Sequence, residues 1–187
     1  MTRLSVDIAS PEDVLVFWFE EIEPRQWFRK DADFDALLDE RFGELQQAAC
    51  KGELWYWRDT PRGRLAEIIL LDQMSRNIHR GSPLAFAADP MALTLAQEAV
   101  RVAADQQLEV MQRVFLYMPY MHSESLRIHQ LAMTLFDQAG MESNLHFEIR
   151  HKQIIEQFGR YPHRNEILGR SSTAAELEFL KQPGSSF

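Results

Sequence analysis

Three Xaa-Pro steps do most to limit what this chain can become: Ser10-Pro11, Thr60-Pro61 and Asp89-Pro90. In each, an oxygen-bearing side chain stands at a helix N-cap. Proline takes the first helical position, where its missing N–H is not needed. Apolar residues follow at spacings of three and four. After Pro11 come Val14, Leu15, Phe17 and Trp18; after Pro61 come Leu65, Ile68 and Ile69, with Asp72 beyond; after Pro90 come Leu93, Ala96, Ala99, Val100 and Ala103. Another helix is expected from about Asp33, carrying Phe34, Leu37, Leu38, Phe42, Leu45, Ala48 and Ala49, with Gly52 stopping it. A mostly apolar segment over 110–118 is expected to end at Pro119. The next starts near Ser123, with Leu126, Leu131, Leu135 and Phe136, and His122 or Ser123 as its cap; another spans 143–158. Thr173 opens a last short helix, where Glu176 completes a capping box. No alternating strand with a hairpin turn is visible. The fold class is all-α: antiparallel helix pairs stacked in a layered array.

At 187 residues the chain is long enough for one domain with a sizeable core, read as 1–187 with "KQPGSSF" (181–187) as a frayed tail. The net charge of −8 argues against a nucleic-acid or membrane-surface binder, since both need a basic face. A local basic pocket stays compatible with it. "VLVFWF" near the N-terminus is too short and too acid-flanked for a signal peptide. No run reaches the roughly 18 apolar residues of a membrane helix. Cys50 is the single cysteine, so no intramolecular disulfide can form; it reads as an inert packing residue, and the protein as cytoplasmic. Trp18, Trp27, Trp55 and Trp57, with Phe17, Phe19 and Phe28, read as core aromatics.

The polar residues cluster in three places. Asp72 and Arg76 stand four apart, acid first, as do Glu156 and Arg160, the favourable orientation for an intrahelical ion pair. Both pairs sit in apolar runs, "IILLDQM" and "QIIEQF", where a lone charge is costly. "DQMSRNIHR" (72–80) echoes "EQFGRYPHR" (156–164), which points to similar local geometry. "FGRYPHRNEILGR" (158–170) gathers Arg160, His163, Arg164, Asn165 and Arg170. These residues either satisfy helix-end carbonyls or line a pocket for a carboxylate or phosphate. "YMPYMHSESLRIHQ" (117–130) supplies His122, Ser123 and Glu124; being consecutive, these cannot form a triad among themselves. His122 and His129 are seven apart, not the three or four of a helical metal-ligand pair, so no metal and no cofactor is expected.

Together "FWF", "LLDQMSRNIHRGSPLAFAADPMAL", "FLYMPYMHSE" and "FGRYPHRNEILGRSSTAAE" resemble the signatures of the bacterial family known as domain of unknown function 924, over about residues 11–180. The resemblance implies a right-handed, tetratricopeptide-like helical array and no established activity. Its polar signature falls here on Asp72, Gln73, Arg76, Asn77, His122, Ser123, Glu124, Gly159, Arg160, Pro162, His163, Arg164, Asn165, Gly169 and Arg170. Met74 and Ser75 stand where the family usually has Phe and Pro, so the helix is expected to end differently after Gln73.

Two functions are compatible with these residues. One is a binding module whose Asp72, Arg76, Asn77, His122, Glu124, Arg160, His163, Arg164, Asn165 and Arg170 form a pocket for an anionic small molecule or an acidic peptide end. The other is an enzyme using His122 or His163 as acid/base on an anionic substrate. Both expect "DQMSRN", "MHSE" and "GRYPHRN" to meet in space, since each alone would bury unpaired polar groups. Arg160, held by a carboxylate on one edge and facing a cavity on the other, is expected at the centre.

Overall fold

The computed structural model describes residues 9–186. The first eight residues and Phe187, included above in the domain and tail readings, lie outside the described residues. Every regular element among the described residues is helical. Helix α1 spans Pro11–Val16 and runs into a π-helical turn, Phe17–Glu21; α2 spans Ala32–Cys50. Helix α3, Pro61–Ile68, continues through a π-helical segment, Ile69–Met74, into α4, Ser75–Ile78. Then come α5 (Leu84–Ala87), α6 (Asp89–Arg101), α7 (Val110–Met121), α8 (Leu126–Phe136), α9 (Glu142–Phe158) and α10 (Ala174–Phe179).

The expected caps form. Ser10 and Thr173 close capping boxes with Asp13 and Glu176, and Thr60 Oγ1 accepts from the Gly63 amide. Gly52 and Gly159 follow their helices with φ of +73° and +69°, the left-handed geometry glycine tolerates best. The long α3–α4 rod is the centre of the packing. Its α3 part touches α1, α6 and α7, while its π segment and α4 lie on α2; α6, α7, α8 and α9 then pack each on the next. One apolar cluster runs through these contacts, from Val14 and Trp18 through Leu65, Ile68 and Leu71 to Phe115, Leu116 and Phe136. A smaller one, Ile154, Ile155 and Tyr161, closes the far end.

Several local expectations are corrected. Helix α7 does not stop at Pro119 but carries it inside and ends with His122 as C-cap. The next helix is entered from Ser125, not from His122 or Ser123, because the Ser123 carbonyl is taken by His129 Nε2 at 2.8 Å. Asp89 lies in the first turn of α6 rather than at its cap. Cys50 is exposed at the end of α2. Trp55 and Phe28 are exposed, while Trp18, Trp57 and Phe17 are core. The described part of the tail folds back: Ser185 is buried and its hydroxyl donates to the Leu180 carbonyl at 3.0 Å.

The entry to α3 is tight. A Cβ on Gly63 would stand 2.0 Å from the Trp57 carbonyl oxygen and 2.9 Å from Thr60 Oγ1. Backbone cannot yield as a flexible side-chain tip does. Gly63→Ala is therefore expected to lower stability in urea melts by about 1–3 kcal/mol or more despite alanine's better helix propensity. A variant as stable as the parent would contradict this.

Candidate functional site

The site begins with the π segment. All six residues from Ile69 to Met74 are buried, and the helix continues past Gln73 instead of ending there. The Ser75 amide reaches back five residues to the Leu70 carbonyl, and its hydroxyl donates to the same oxygen at 3.1 Å. Gln46 Nε2 in turn donates to Ser75 Oγ at 2.8 Å. One extra residue in a turn rotates everything after it by about 100°. The segment thereby carries Asp72 and Gln73 into the interior, facing α7.

There Asp72, fully buried, meets His122: Oδ1 lies 2.7 Å from Nδ1. Gln73 Nε2 donates to the other oxygen, Oδ2, at 2.6 Å. Arg76 Nη1 donates to the Asp72 carbonyl at 2.5 Å and lies 3.3 Å from Oδ1. Burial works against ionising Asp72, but the His122 and Arg76 side chains outweigh it and hold the carboxyl below its usual range. Burial, then the Arg76 charge, lowers His122. The consistent state is a carboxylate beside a neutral imidazole. An ionised carboxylate only accepts, so the proton sits on Nδ1, and Nε2 carries the lone pair.

Arg76 also reaches Asp89 with both terminal nitrogens, at 2.9 and 3.0 Å. Asp89 Oδ2 accepts a second guanidinium, from Arg164 Nη1 at 3.2 Å, and Arg164 Nη2 donates to the His122 carbonyl at 3.0 Å. Phe86 lies under both, its ring centroid 4.6 Å from Arg164 Cζ and 5.6 Å from Arg76 Cζ; the Tyr161 ring adds a contact at 4.7 Å. Arg164 Nε is buried without a hydrogen-bond partner.

Beside these groups lies a cavity of about 530 Å³. Gln73, Arg76, Asn77, His122, His163 and Arg164 line it, with His151 from α9 and an apolar wall of Trp27, Phe28, Phe86, Met118, Met121, Phe147 and Ile167. Among the described residues, every charged side chain on the wall is a cation: Arg29, Lys30, Arg76, Arg80 and Arg164. Arg80 and Asn77 are held from behind by Asp35. His151 and His163 are both lowered to about 3, in each case mainly by burial; for His163 the charges of Arg164 and Arg76 add to it.

The three polar segments do meet, but they divide into two groups. Glu124 accepts from the Tyr161 amide at 2.7 Å and takes Arg170 bidentately at 2.7 and 2.9 Å; Arg170 Nε also donates to Asn165 Oδ1. Asn165 bonds Ser172 Oγ. Arg160 is not central. It lies just past Gly159 as expected, yet its Nε and Nη2 donate to Glu176 at 2.7 and 2.9 Å, Nη2 also donates to the Ser171 carbonyl, and it does not line the cavity. Glu156 pairs with Lys152 rather than with Arg160. Glu124, Arg160, Asn165 and Arg170 thus brace the 158–176 segment against the start of α8. The echo of 72–80 in 156–164 does not carry a shared geometry: Asp72 is buried in a π turn, and Glu156 is exposed on a helix that ends two residues later.

Sequence reasoning missed Asp89, His151 and Phe86. Asp89 read as a capping residue, which its position before Pro90 explains fully, and nothing local marks its two arginine partners. Among the described residues, no group of three or more His, Cys, Asp or Glu side chains is placed to hold a metal ion.

An all-helical protein with a cation-lined cavity is the class that this fold and site define. Residues 14–184 match the family described as "Bacterial protein of unknown function (DUF924)", and the chain belongs to it. It is similar to a solved structure of a protein of unknown function from Agrobacterium tumefaciens, at 39% identity and a TM-score of 0.87, over 91% of this chain and 96% of that one. No curated protein matches.

Two outcomes follow from the electrostatics. Asp89→Ala leaves two guanidiniums packed together without their common anion, and should cost about 3–5 kcal/mol in denaturant melts, the range for breaking a buried pair. A loss below about 1 kcal/mol, the value of a surface pair, would contradict this. The second concerns pH. His151 and His163 stay neutral in the fold down to about 3, whereas the unfolded chain takes up those protons below about 6.5. The unfolded state then binds more protons, so stability is full above about pH 6.5 and falls as pH drops toward 3, by at most about 1.4 kcal/mol per pH unit for each histidine. Burial raises Glu148, which acts with the opposite sign. Urea melts between pH 7.5 and 5 should show a flatter slope for His163→Gln than for the parent; equal slopes would contradict it.

Proposed function

We propose that the cavity binds a small amphiphilic anion, a carboxylate or phosphate on an apolar body. The observation that carries this is the sign of the wall: all its charged side chains are cations, in a chain of net charge −8. Their partner carboxylates, Asp72, Asp89 and Asp35, do not line the cavity. A guanidinium has five N–H donors, and neither Arg76 nor Arg164 spends all of its own on the protein. The rest of the wall is largely aromatic and Met-rich, and the volume falls in the range of about 300–1,000 Å³ usual for small-molecule sites. That size favours a small molecule over a peptide segment. We read the stacked helices as a tetratricopeptide-like array. We place the protein in the cytoplasm because its single cysteine, Cys50, fits a reducing compartment.

Calorimetry with 4-phenylbutyrate and 4-phenylbutyl phosphate, against 4-phenylbutanol and 4-phenylbutylammonium, tests the reading. The two anions should bind and the other two should not. Arg164→Lys, which keeps the charge but loses the fork, should weaken anion binding by about tenfold or more, or roughly 1.4 kcal/mol, while still melting cooperatively. Equal binding of the alcohol or the ammonium compound would overturn the proposal.

A further inference from the structure

We propose that the cavity is an active site in which His122 acts as general base, directing water at the carbonyl of activated acyl compounds, esters or thioesters, whose acyl part carries an anionic group. This rests on the anion-binding reading for the substrate's charged end and adds a reaction to it.

The geometry is that of an oriented base. Asp72 Oδ1 holds His122 Nδ1 at 2.7 Å, and Asp72 is itself fixed by Gln73 and by Arg76. Arg164 ties the His122 backbone carbonyl from the other side. A structural histidine is commonly engaged at both ring nitrogens, as His129 is here, between Glu148 at 2.6 Å and the Ser123 carbonyl at 2.8 Å. His122 is engaged at one. Its ring lines the cavity, and no hydrogen bond to Nε2 is made among the described residues. A carboxylate fixing Nδ1–H, with Nε2 left to a pocket, is the arrangement that orients an imidazole for proton transfer.

The surroundings narrow the chemistry. Among the described residues, the wall holds no Cys, Thr, Asp or Glu, and its one hydroxyl is Ser186, in the exposed C-terminal turn. Attack is therefore assigned to water. The groups facing His122 are Asp72 and Arg76 from the α3–α4 rod, Asp89 from the start of α6, Arg164 and His163 beyond Gly159, and His151 from α9. Burial and the Arg76 charge make His122 a weaker base than a free imidazole. Such a base is poorly matched to a C–H beside a carboxylate and better matched to water attacking an activated carbonyl.

The step balances without a co-reactant. Nε2 takes one proton from water as the water oxygen bonds to the carbonyl carbon, giving a tetrahedral oxyanion. The cationic wall favours that added negative charge. Collapse breaks the bond from carbon to the leaving oxygen or sulfur. The leaving atom takes the proton from Nε2–H, which returns His122 to its neutral form. The sum is one acyl compound plus water giving one acid plus one alcohol or thiol.

The test uses the full chain with 4-nitrophenyl hydrogen glutarate, an activated ester with an anionic acyl part, and 4-nitrophenyl butyrate as its neutral counterpart. The glutarate ester should be hydrolysed well above the buffer rate and in preference to the butyrate. His122→Asn and His122→Gln should each lower kcat by about a hundredfold, the usual scale of a general base. Both should still bind 4-phenylbutyrate, and Ser186→Ala should still hydrolyse the glutarate ester well above the buffer rate. The parent's rate should fall on acidification with an ionisation below about 6.5, absent from the residual rate of the His122 variants. On the intact protein, diethyl pyrocarbonate should carbethoxylate His122, with parallel loss of hydrolysis and protection by 4-phenylbutyrate. No rate above buffer, parent-like rates in the His122 variants, loss of the rate in Ser186→Ala, or an unmodified His122 in an inactivated protein would each overturn the proposal. Failure of 4-phenylbutyrate to bind, with hydrolysis and its His122 dependence intact, would count against the anion-binding reading alone.

Discussion

Two guanidiniums share one carboxylate at the start of α6, and the arrangement of the cavity depends on it. Among the described residues, Asp89 is the one anion that bonds both Arg76 and Arg164, which come from the π-containing rod and from the segment after α9. Like charges so close repel unless something of opposite sign lies between them, and burial magnifies the repulsion. Burial and Arg76 accordingly lower Arg164, while Asp72 and Asp89 outweigh the burial of Arg76 and raise it. The bridge ties residues 75 positions apart in sequence, and through the Arg164 bond to the His122 carbonyl it also holds the end of α7. Without it, Arg76 and Arg164 would lie close together with no anion between them.

A second constraint sets what that anchor presents. The π segment places a carboxylate with no solvent exposure beneath the imidazole of His122. Such a pair is weak evidence for stability, since desolvation offsets most of the attraction. Its effect is on orientation. The ring is held, its proton is assigned to Nδ1, and its second nitrogen is left to the cavity. The neighbouring Glu124–Arg170 and Arg160–Glu176 pairs work differently. Both arginines keep about a quarter of their side chains exposed and use their donors on protein acceptors. They fasten the 158–176 segment down, and that segment carries His163 and Arg164 to the cavity wall.

The division between these two sets of arginines was not visible in "FGRYPHRNEILGR". Arg160, Arg164 and Arg170 differ there only by position, and Arg160 had the additional appeal of Glu156 one turn earlier. Glu156 went to Lys152, also one turn away, because an exposed surface offers several equivalent partners of small energetic difference. Arg164 has no acid one turn before or after it, and its partner Asp89 lies across the fold. Convergence of the three segments, by contrast, followed from a general cost: each would bury unsatisfied polar groups alone.

Helix existence, the caps at Ser10, Thr60 and Thr173, the stops at Gly52 and Gly159, and the all-α class were determined by the sequence itself. Each rests on interactions within four or five residues, which spacing and residue type express directly. The π segment, the passage of α7 through Pro119, the role of Asp89 and the exclusion of Arg160 from the cavity were decided only in the tertiary structure. The widened turn has six buried residues to satisfy, and its accepting Leu70 carbonyl is served by Ser75, itself held by Gln46 from α2. Which arginine faces a cavity depends on which carboxylate lies across from it, and that distance is fixed by helix packing, which no local pattern encodes.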